Sequence, residues 1–328
     1  DAYGHGLAPM ATRLMQINAD AFAVASIEEA KQLRELGLGW PILILSPLLP
    51  NEYPALFYYD LIPTLSSLEE MHNLAAEARR QGQQLKIHLN IDTGMGRAGV
   101  WHEQFSAFYQ SLQHESMLHL HGIYTHLSSA DSDPDYTQIQ RERFLCALAQ
   151  LPQDVNDQNL WIHADNSAGL ESFHADSPYN AVRIGLLQFG LPPRSGSLLE
   201  HLQPEPVLSL HSKVCLVKKL PKGTSISYGR TYTLQDDRTI AVISAGYGDG
   251  LSTQLSNRGQ VLIQGERCPI IGKVTMDQSM VDVSHLHTIR AGEPVVLLGK
   301  QKSEQITASE LAEWACSIPW EIFCHISK

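Results

Sequence analysis

What the sequence lacks narrows its class. None of its five cysteines (Cys146, Cys215, Cys268, Cys316 and Cys324) forms a CxxC pair, and an odd number cannot all pair within one chain. They read as reduced thiols of a cytoplasmic protein. Blocks of Lys or Arg are missing too. Thirty-five acidic residues face 24 Lys and Arg, a formal charge of -11, so nucleic acid is not an expected partner. No apolar run approaches the ~20 residues a bilayer span needs. The longest, WPILILSPLLP at 40–50, is broken by prolines, so no membrane segment is expected. The start, DAYGHGLAPM, has neither an initiator Met nor the basic region and apolar run of a secretory leader, and residues are expected upstream. What remains is 328 residues, 43% apolar and 18% charged, enough for a large core and far from disorder or a fibre.

From Ala21 to about Gly190 a short apolar run, a turn and an amphipathic helix recur. The clearest unit is AFAVAS followed by IEEAKQLRELG, with Ser26 as N-cap, Glu28 and Glu29 in the first turn and Gly37 near the end. Seven strands are expected near residues 21, 41, 61, 86, 119, 160 and 181, a spacing that suits right-handed βα units closing into an eight-stranded barrel. DAYGHG reads as the loop after a barrel strand, which puts the eighth strand just before Asp1. After Pro204 come β-branched runs such as VLSLHSKVCLVKKL, TIAVISAGYGDG and EPVVLLG, separated by PKG, QDD, GER and AGE turns. One helix, TASELAEWACS, has Thr307 as N-cap and Glu310 three residues on. The expectation is an α/β chain: a (β/α)8 TIM-type barrel over residues 1–203 lacking its first strand, then a mostly β domain over 204–328.

Barrel chemistry collects on the loops after strand C-termini. Five such stretches carry polar and glycine residues: DAYGHG at 1–6, NIDTGMGRAG at 90–99, YTHLSSAD at 124–131, HADNSAG at 163–169 and VRIGLLQFG at 182–190. Each alone has a structural explanation. Gly94, Gly96 and Gly99 suit a tight turn, His126 a hydrogen-bonded core histidine, Arg183 a buried ion pair, Ser167 a helix cap and Met276-Asp277 an ordinary connection. Together, Ser167 and the Gly185 and Leu186 amides would make a phosphate cradle near the last strands, suited to a phosphorylated cofactor. No HxE, HExxH or Cys/His spacing supports a metal; His119 and His121 share a strand face without a second ligand pair.

DAYGHG, IDTGMGRAG, YTHLSSAD, HADNSAG, VRIGLLQFG, SYGRTY, GYGDG and TMDQSM, in this order and across both domains, closely resemble the alanine racemases. The resemblance implies pyridoxal 5'-phosphate (PLP), interconversion of L- and D-alanine, supply of D-alanine to the bacterial cell wall or its catabolism, and a homodimer with active sites at the interface. It makes Tyr228 the base that takes the α-proton of the L-substrate across that interface, assisted by His126 and Arg183. Arg183 would face the pyridine nitrogen and, holding its own proton, leave that nitrogen unprotonated. Tyr3, Ser167, Gly185 and Leu186 match phosphate-binding positions. Arg97 matches the arginine near the cofactor's phenolic oxygen and the substrate carboxylate, and Met276 the residue whose N–H meets that carboxylate. Tyr247 matches a gate tyrosine that favours small side chains, and Asp131 and Asp277 polar positions around the entrance.

Departures from the family's pattern shape further expectations. The PLP lysine, also the base for the D-substrate, sits two residues before the position of Asp1. Lys328 stands where a phosphate-binding tyrosine is common, so both ends are expected to be truncated. Asn90 is an uncharged alternative where a carbamylated lysine is frequent, and an anion could take over that role. Thr253 and Lys273 replace entrance arginines. Alternative readings are a racemase of serine or larger amino acids, a decarboxylase on the same fold, and a non-catalytic PLP-binding barrel. No matching carboxylate or cysteine motif supports the decarboxylase, and small PLP-binding barrels lack a β domain.

Overall fold

The computed structural model describes residues 1–152, 159–170, 178–193 and 195–326. Two compact units divide the chain: Leu7–Gln188 with Pro192–Pro204, and Glu205–Lys328 with Asp1–Gly6 and Phe189–Leu191.

The first unit contains all seven expected strands: β1 (Phe22–Val24), β2 (Ile42–Ile44), β3 (Ile62–Leu65), β4 (Leu85–Asp92), β5 (Leu118–Tyr124), β6 (Trp161–Asn166) and β7 (Ala181–Arg183). They pair in that order, each parallel to the next, as a nearly closed barrel. Among the described residues β7 and β1 are not paired. A two-residue strand, Val100–Trp101, pairs beside β4 off this path. Strands β2 and β3 are buried throughout, as expected of parallel strands covered on both faces.

Helices α1 (Leu7–Gln16), α2 (Ile27–Leu36), α3 (Tyr53–Tyr58), α4 (Leu68–Gln81), α5 (Phe105–Gln113), α6 (Pro134–Leu148) and α7 (Ser167–Leu170) follow or link them. Ser26 caps α2 by accepting the Glu29 N–H at 3.3 Å, and Ser67 caps α4 likewise through Glu70 at 3.1 Å. Gly82 ends α4 in the left-handed region, φ +66°. Gly37 ends α2 in extended backbone instead. The core is formed by Ile87, Leu89 and Ile91 of β4 with Leu74, Phe105 and Phe144 of the surrounding helices, all fully buried.

The second unit is mostly β. Its strands are β8 (Leu210–Leu220), β9 (Arg238–Ile243), β10 (Gln260–Ile263), β11 (Glu266–Pro269), β12 (Ser279–Asp282), β13 (Pro294–Gln301) and β14 (Glu304–Ile306). They form an antiparallel sheet in the order β11-β10-β13-β8-β9-β12, with β14 on β13. Helices α8 (Ala308–Ala315) and α9 (Pro319–Ile326) close the described chain. Residues 1–6 belong here: the His5 ring stacks on Phe189 at 4.2 Å and meets Phe323 of α9 edge-on at 4.9 Å. All five cysteines are free. No helix among the described residues is long and apolar enough to cross a membrane.

Thr307 and Glu310 form the expected capping box, Thr307 Oγ1 accepting from Glu310 N (3.1 Å) and Glu310 Oε2 from Thr307 N (2.9 Å). Thr307→Ala should lower stability by about 1 kcal/mol, read as a lower urea midpoint at unchanged slope. An unchanged midpoint would mean that this cap contributes nothing.

Candidate active site

Strand β4 ends at Asp92, whose carboxylate accepts the N–H groups of Gly94 (2.9 Å), Met95 (2.9 Å) and Gly96 (3.0 Å). That one acceptor curls the GMGRAG loop and leaves Arg97 exposed on it. The glycines are required. Gly94 sits at φ +139°, and a Cβ there would lie 2.2 Å from the Tyr136 hydroxyl; at Gly99, φ +109°, it would lie 2.9 Å from Asn90 Cγ. Asn90 fastens the far end, Nδ2 donating to Ala98 O at 3.0 Å, while its buried Oδ1 has no partner among the described residues. An orphan acceptor calls for a donor such as a guanidinium; an anion would need the Nδ2 protons, one of which is already taken.

Arg183, at the end of β7, donates from Nη1 to His163 Nδ1 (2.6 Å) and His163 O (3.3 Å), and from Nη2 to Thr125 O (2.9 Å) and Ala164 O (3.0 Å). Four of a guanidinium's five N–H groups are thereby used, which leaves Nε–H. Its guanidinium lies deep enough that burial lowers its pKa to about 10, so it stays charged at neutral pH. The ion pair expected of it belongs instead to Arg141, which reaches the buried Asp165 at 2.7 Å. His126 stands in the field of two cations. Burial first, then Arg183 and Arg97, push its pKa down to about 4, and the imidazole is neutral.

Ser167 does not cap its own helix. Asn166 does, accepting the Gly169 N–H at 2.8 Å, and the Ser167 hydroxyl reaches across to the loop after β7, accepting from Gly185 N (2.9 Å) and Leu187 N (3.3 Å). Ser167, Gly185 and Leu186 are therefore brought together, with the Ser167 proton and the Leu186 N–H unpartnered among the described residues.

The β unit carries the other residues singled out. Tyr228 opens a 3-10 turn, Tyr228–Arg230, between two short paired strands and is 73% exposed. Around it Ser227 (φ 65°, ψ -174°), Gly229 (φ 71°) and Arg230 (φ 50°) all take positive φ, which costs about 1–3 kcal/mol for each of the two non-glycine residues. The Ser227 hydroxyl, donating to Lys273 O at 2.7 Å, helps hold the turn. Tyr247 and Met276 are knitted together: Tyr247 N donates to Thr275 O (2.9 Å), Gly248 N to Met276 O (2.8 Å), and a Cβ at Gly246 would sit 2.2 Å from Thr275 O. Tyr3 lies 5.5 Å from Phe189, ring to ring, and burial raises its phenol pKa. Lys328 lies outside the described residues.

Sequence reasoning missed Asp92, and also His88 and His163, buried in mid-strand in KIHLNI and LWIHADN. A histidine inside an otherwise apolar parallel strand was the available signal. No group of three or more His, Cys, Asp or Glu among the described residues could hold a metal ion.

The family model of the alanine racemase N-terminal domain matches residues 1–193, and that of the C-terminal domain residues 207–328. The alanine racemase of Geobacter sulfurreducens is 40% identical over 334 residues, covering 100% of this chain and 86% of its own. That of Symbiobacterium thermophilum is 42% identical over 329 residues, with the same shares. The alanine racemase structure from E. faecalis superposes with a TM-score of 0.87 at 35% identity, covering 99% of this chain and 86% of that one. One from Bartonella henselae, with covalently bound pyridoxal phosphate, gives 0.90 at 25% identity, covering 100% and 88%.

Two predictions follow from this geometry. Asp92→Ala removes the acceptor shared by three amides, and the Gly94–Gly96 N–H groups should exchange with deuterated solvent at least about tenfold faster, a loss of about 1.4 kcal/mol of local stability. Equal exchange would mean the loop is held otherwise. The second concerns pH. Burial lowers the pKa of His88 to about 3, of His126 to about 4 and of His163 well below 6.5, whereas burial raises Glu70 to about 7. Near pH 5 the unfolded chain protonates all three histidines while the fold keeps them neutral, and Glu70 opposes by about one proton. Unfolding should therefore take up at least about two protons, and stability should fall by about 3 kcal/mol per pH unit as pH drops from about 6 towards 4. A urea midpoint that stays level over that range would contradict it.

Proposed function

The chain belongs to the alanine racemase family and is an amino-acid isomerase, and we propose that it interconverts L- and D-alanine with PLP, as a cytoplasmic homodimer supplying D-alanine for peptidoglycan. The observation that carries this reading is identity near 40% to alanine racemases over the entire chain.

The residues present suit the cofactor. The Ser167 hydroxyl proton and the Leu186 N–H are donors that would suit a phosphate, and Arg183 keeps one N–H, at Nε, for an acceptor nitrogen. PLP, when bound, supplies the electron sink that makes the alanine α-hydrogen acidic. Arg183 stays protonated, so toward a cofactor ring nitrogen it would donate a hydrogen bond and no proton, which would moderate that sink and favour return of the proton over side reactions. Tyr228, reaching across the subunit interface, takes the α-proton on the L-face at its phenol oxygen. A phenol titrates near 10 unperturbed, so it needs cationic help. Neutral His126 can hydrogen-bond the phenol without adding charge of its own, and Arg183 and Arg97 supply the positive field. Arg97 and the Met276 N–H bind the substrate carboxylate, and Tyr247 narrows the entrance to favour a small side chain.

In deuterated water the full-length enzyme should exchange the α-hydrogen of alanine much faster than that of serine or lysine; absence of exchange from alanine would overturn the reading. Tyr228→Phe should slow exchange from L-alanine by about 10²- to 10⁴-fold. Mixing inactive Tyr228→Phe and Arg183→Leu subunits tests the interface: in a hybrid dimer one of the two sites regains both native residues, so activity should return. No recovery on mixing, with subunit exchange verified, would put both residues in one chain's site.

A further inference from the structure

Three imidazoles with no part in the reaction above stand in line beneath Arg183. His163 Nδ1 lies 2.6 Å from Arg183 Nη1, His163 Nε2 lies 3.0 Å from His88 Nδ1, and His88 Nε2 lies 3.0 Å from His121 Nδ1. They come from three neighbouring strands, His88 on β4, His121 on β5 and His163 on β6.

The head of the row settles its direction. A guanidinium has donors only, so His163 Nδ1 must accept, and the one proton of that neutral ring is on Nε2. That proton is donated to His88 Nδ1. By the same count His88 is protonated at Nε2 and donates to His121 Nδ1. The column therefore has one polarity, every acceptor end towards Arg183. A second proton on either inner ring would set N–H against N–H, and burial together with the Arg183 charge opposes it as well.

The barrel makes room for this arrangement. Gly122 is the β5 partner of His88, and a Cβ there would come within 2.6–2.8 Å of three atoms of the His88 ring. The β4–β5 register shifts between Ile87 and His88, at the same point. Trp161 flanks His88 and His121, with ring centroids 6.0 and 5.4 Å away, and Tyr124 stacks on His163 at 4.9 Å and 9°. The outer end, His121, is half-buried and feels the charges of Lys86 and His119. Arg183 itself makes no ion pair with a carboxylate among the described residues; three backbone carbonyls and this column are its acceptors.

We infer that His163, His88 and His121 act as one positioning unit for Arg183: the guanidinium fixes a single tautomer through all three rings, and their aligned dipoles hold the guanidinium where no carboxylate does. A carboxylate in that place would cancel the positive charge that the site needs, whereas a neutral column leaves it in force. The tautomer lock follows from hydrogen-bond inventory alone; its effect on turnover rests on the role proposed for Arg183.

The test has two arms on the holoenzyme. Imidazole nitrogen NMR with ¹⁵N-histidine, between pH 5.5 and 8.5, should find His163 and His88 as the Nε2–H tautomer throughout. In Arg183→Leu the lock should loosen, with mixed tautomers as far as His121. An Nδ1–H form or an imidazolium on either inner ring of the native protein would overturn the inference. In the second arm His88→Leu should lower kcat about tenfold or more with KM for alanine within about twofold. His88→Gln, which can both accept and donate, should recover most of the loss, and Gly122→Ala should reproduce the defect by displacing the ring. Native kcat in folded His88→Leu would overturn the positioning role. Should that variant not fold, native NMR decides the lock and native kcat in Gly122→Ala would overturn the positioning role, while a locked column in a protein that does not racemise alanine would fault the functional reading instead.

Discussion

A guanidinium held in the barrel by neutral acceptors is the constraint on which the site depends. Removing a cation from water is expensive, and ordinarily a carboxylate offsets the cost. For Arg183 the offset comes from the Thr125, His163 and Ala164 carbonyls and one imidazole, presented by β6 and the end of β5. The β6–β7 register shifts between His163 and Asn166, opposite the strand that carries Arg183, and the His163 carbonyl accepts the Thr125 N–H (3.3 Å) as well as Arg183. Past the same irregularity the Ser167 hydroxyl meets the loop after β7 at Gly185 and Leu187.

The other charges are arranged around this one. Arg141 and Asp165 neutralise each other in the core, and His88, His126 and His163 are kept neutral by burial and by Arg183 itself. Arg183 and Arg97, the two cations whose field reaches His126, hold their protons over the whole physiological range. Tyr228, Tyr247 and Met276 belong to the β unit, where exposure and strained backbone replace burial as the organising principle.

Most of the fold was legible because parallel strands read as short apolar runs and helix caps are local. All seven barrel strands, the Ser26 cap and the Thr307–Glu310 box stand where spacing and chemistry put them. The glycines of GMGRAG are indeed a tight turn, but its cause, three amides converging on Asp92, depends on loop geometry that spacing does not encode. Register hid the rest. Whether Ser167 caps a helix or crosses to another strand, whether Arg183 or Arg141 takes the carboxylate, and whether mid-strand histidines meet are settled between strands, by shifts of a residue or two. His119 and His121 alternate on one strand, yet only His121 joins the column.

The knitting of Tyr247 to Met276 has a consequence for how such a site can diverge. Gly246 is crowded by the carbonyls of Thr275 and Met276, and two backbone hydrogen bonds tie the turns together. The backbone that carries the Tyr247 phenol and the backbone that carries the Met276 amide are in effect one rigid part. On the roles proposed for Tyr247 and Met276, a change that widens the entrance by moving this backbone also moves the amide, so a lineage evolving towards bulkier side chains would have to work by truncating side chains on a fixed frame.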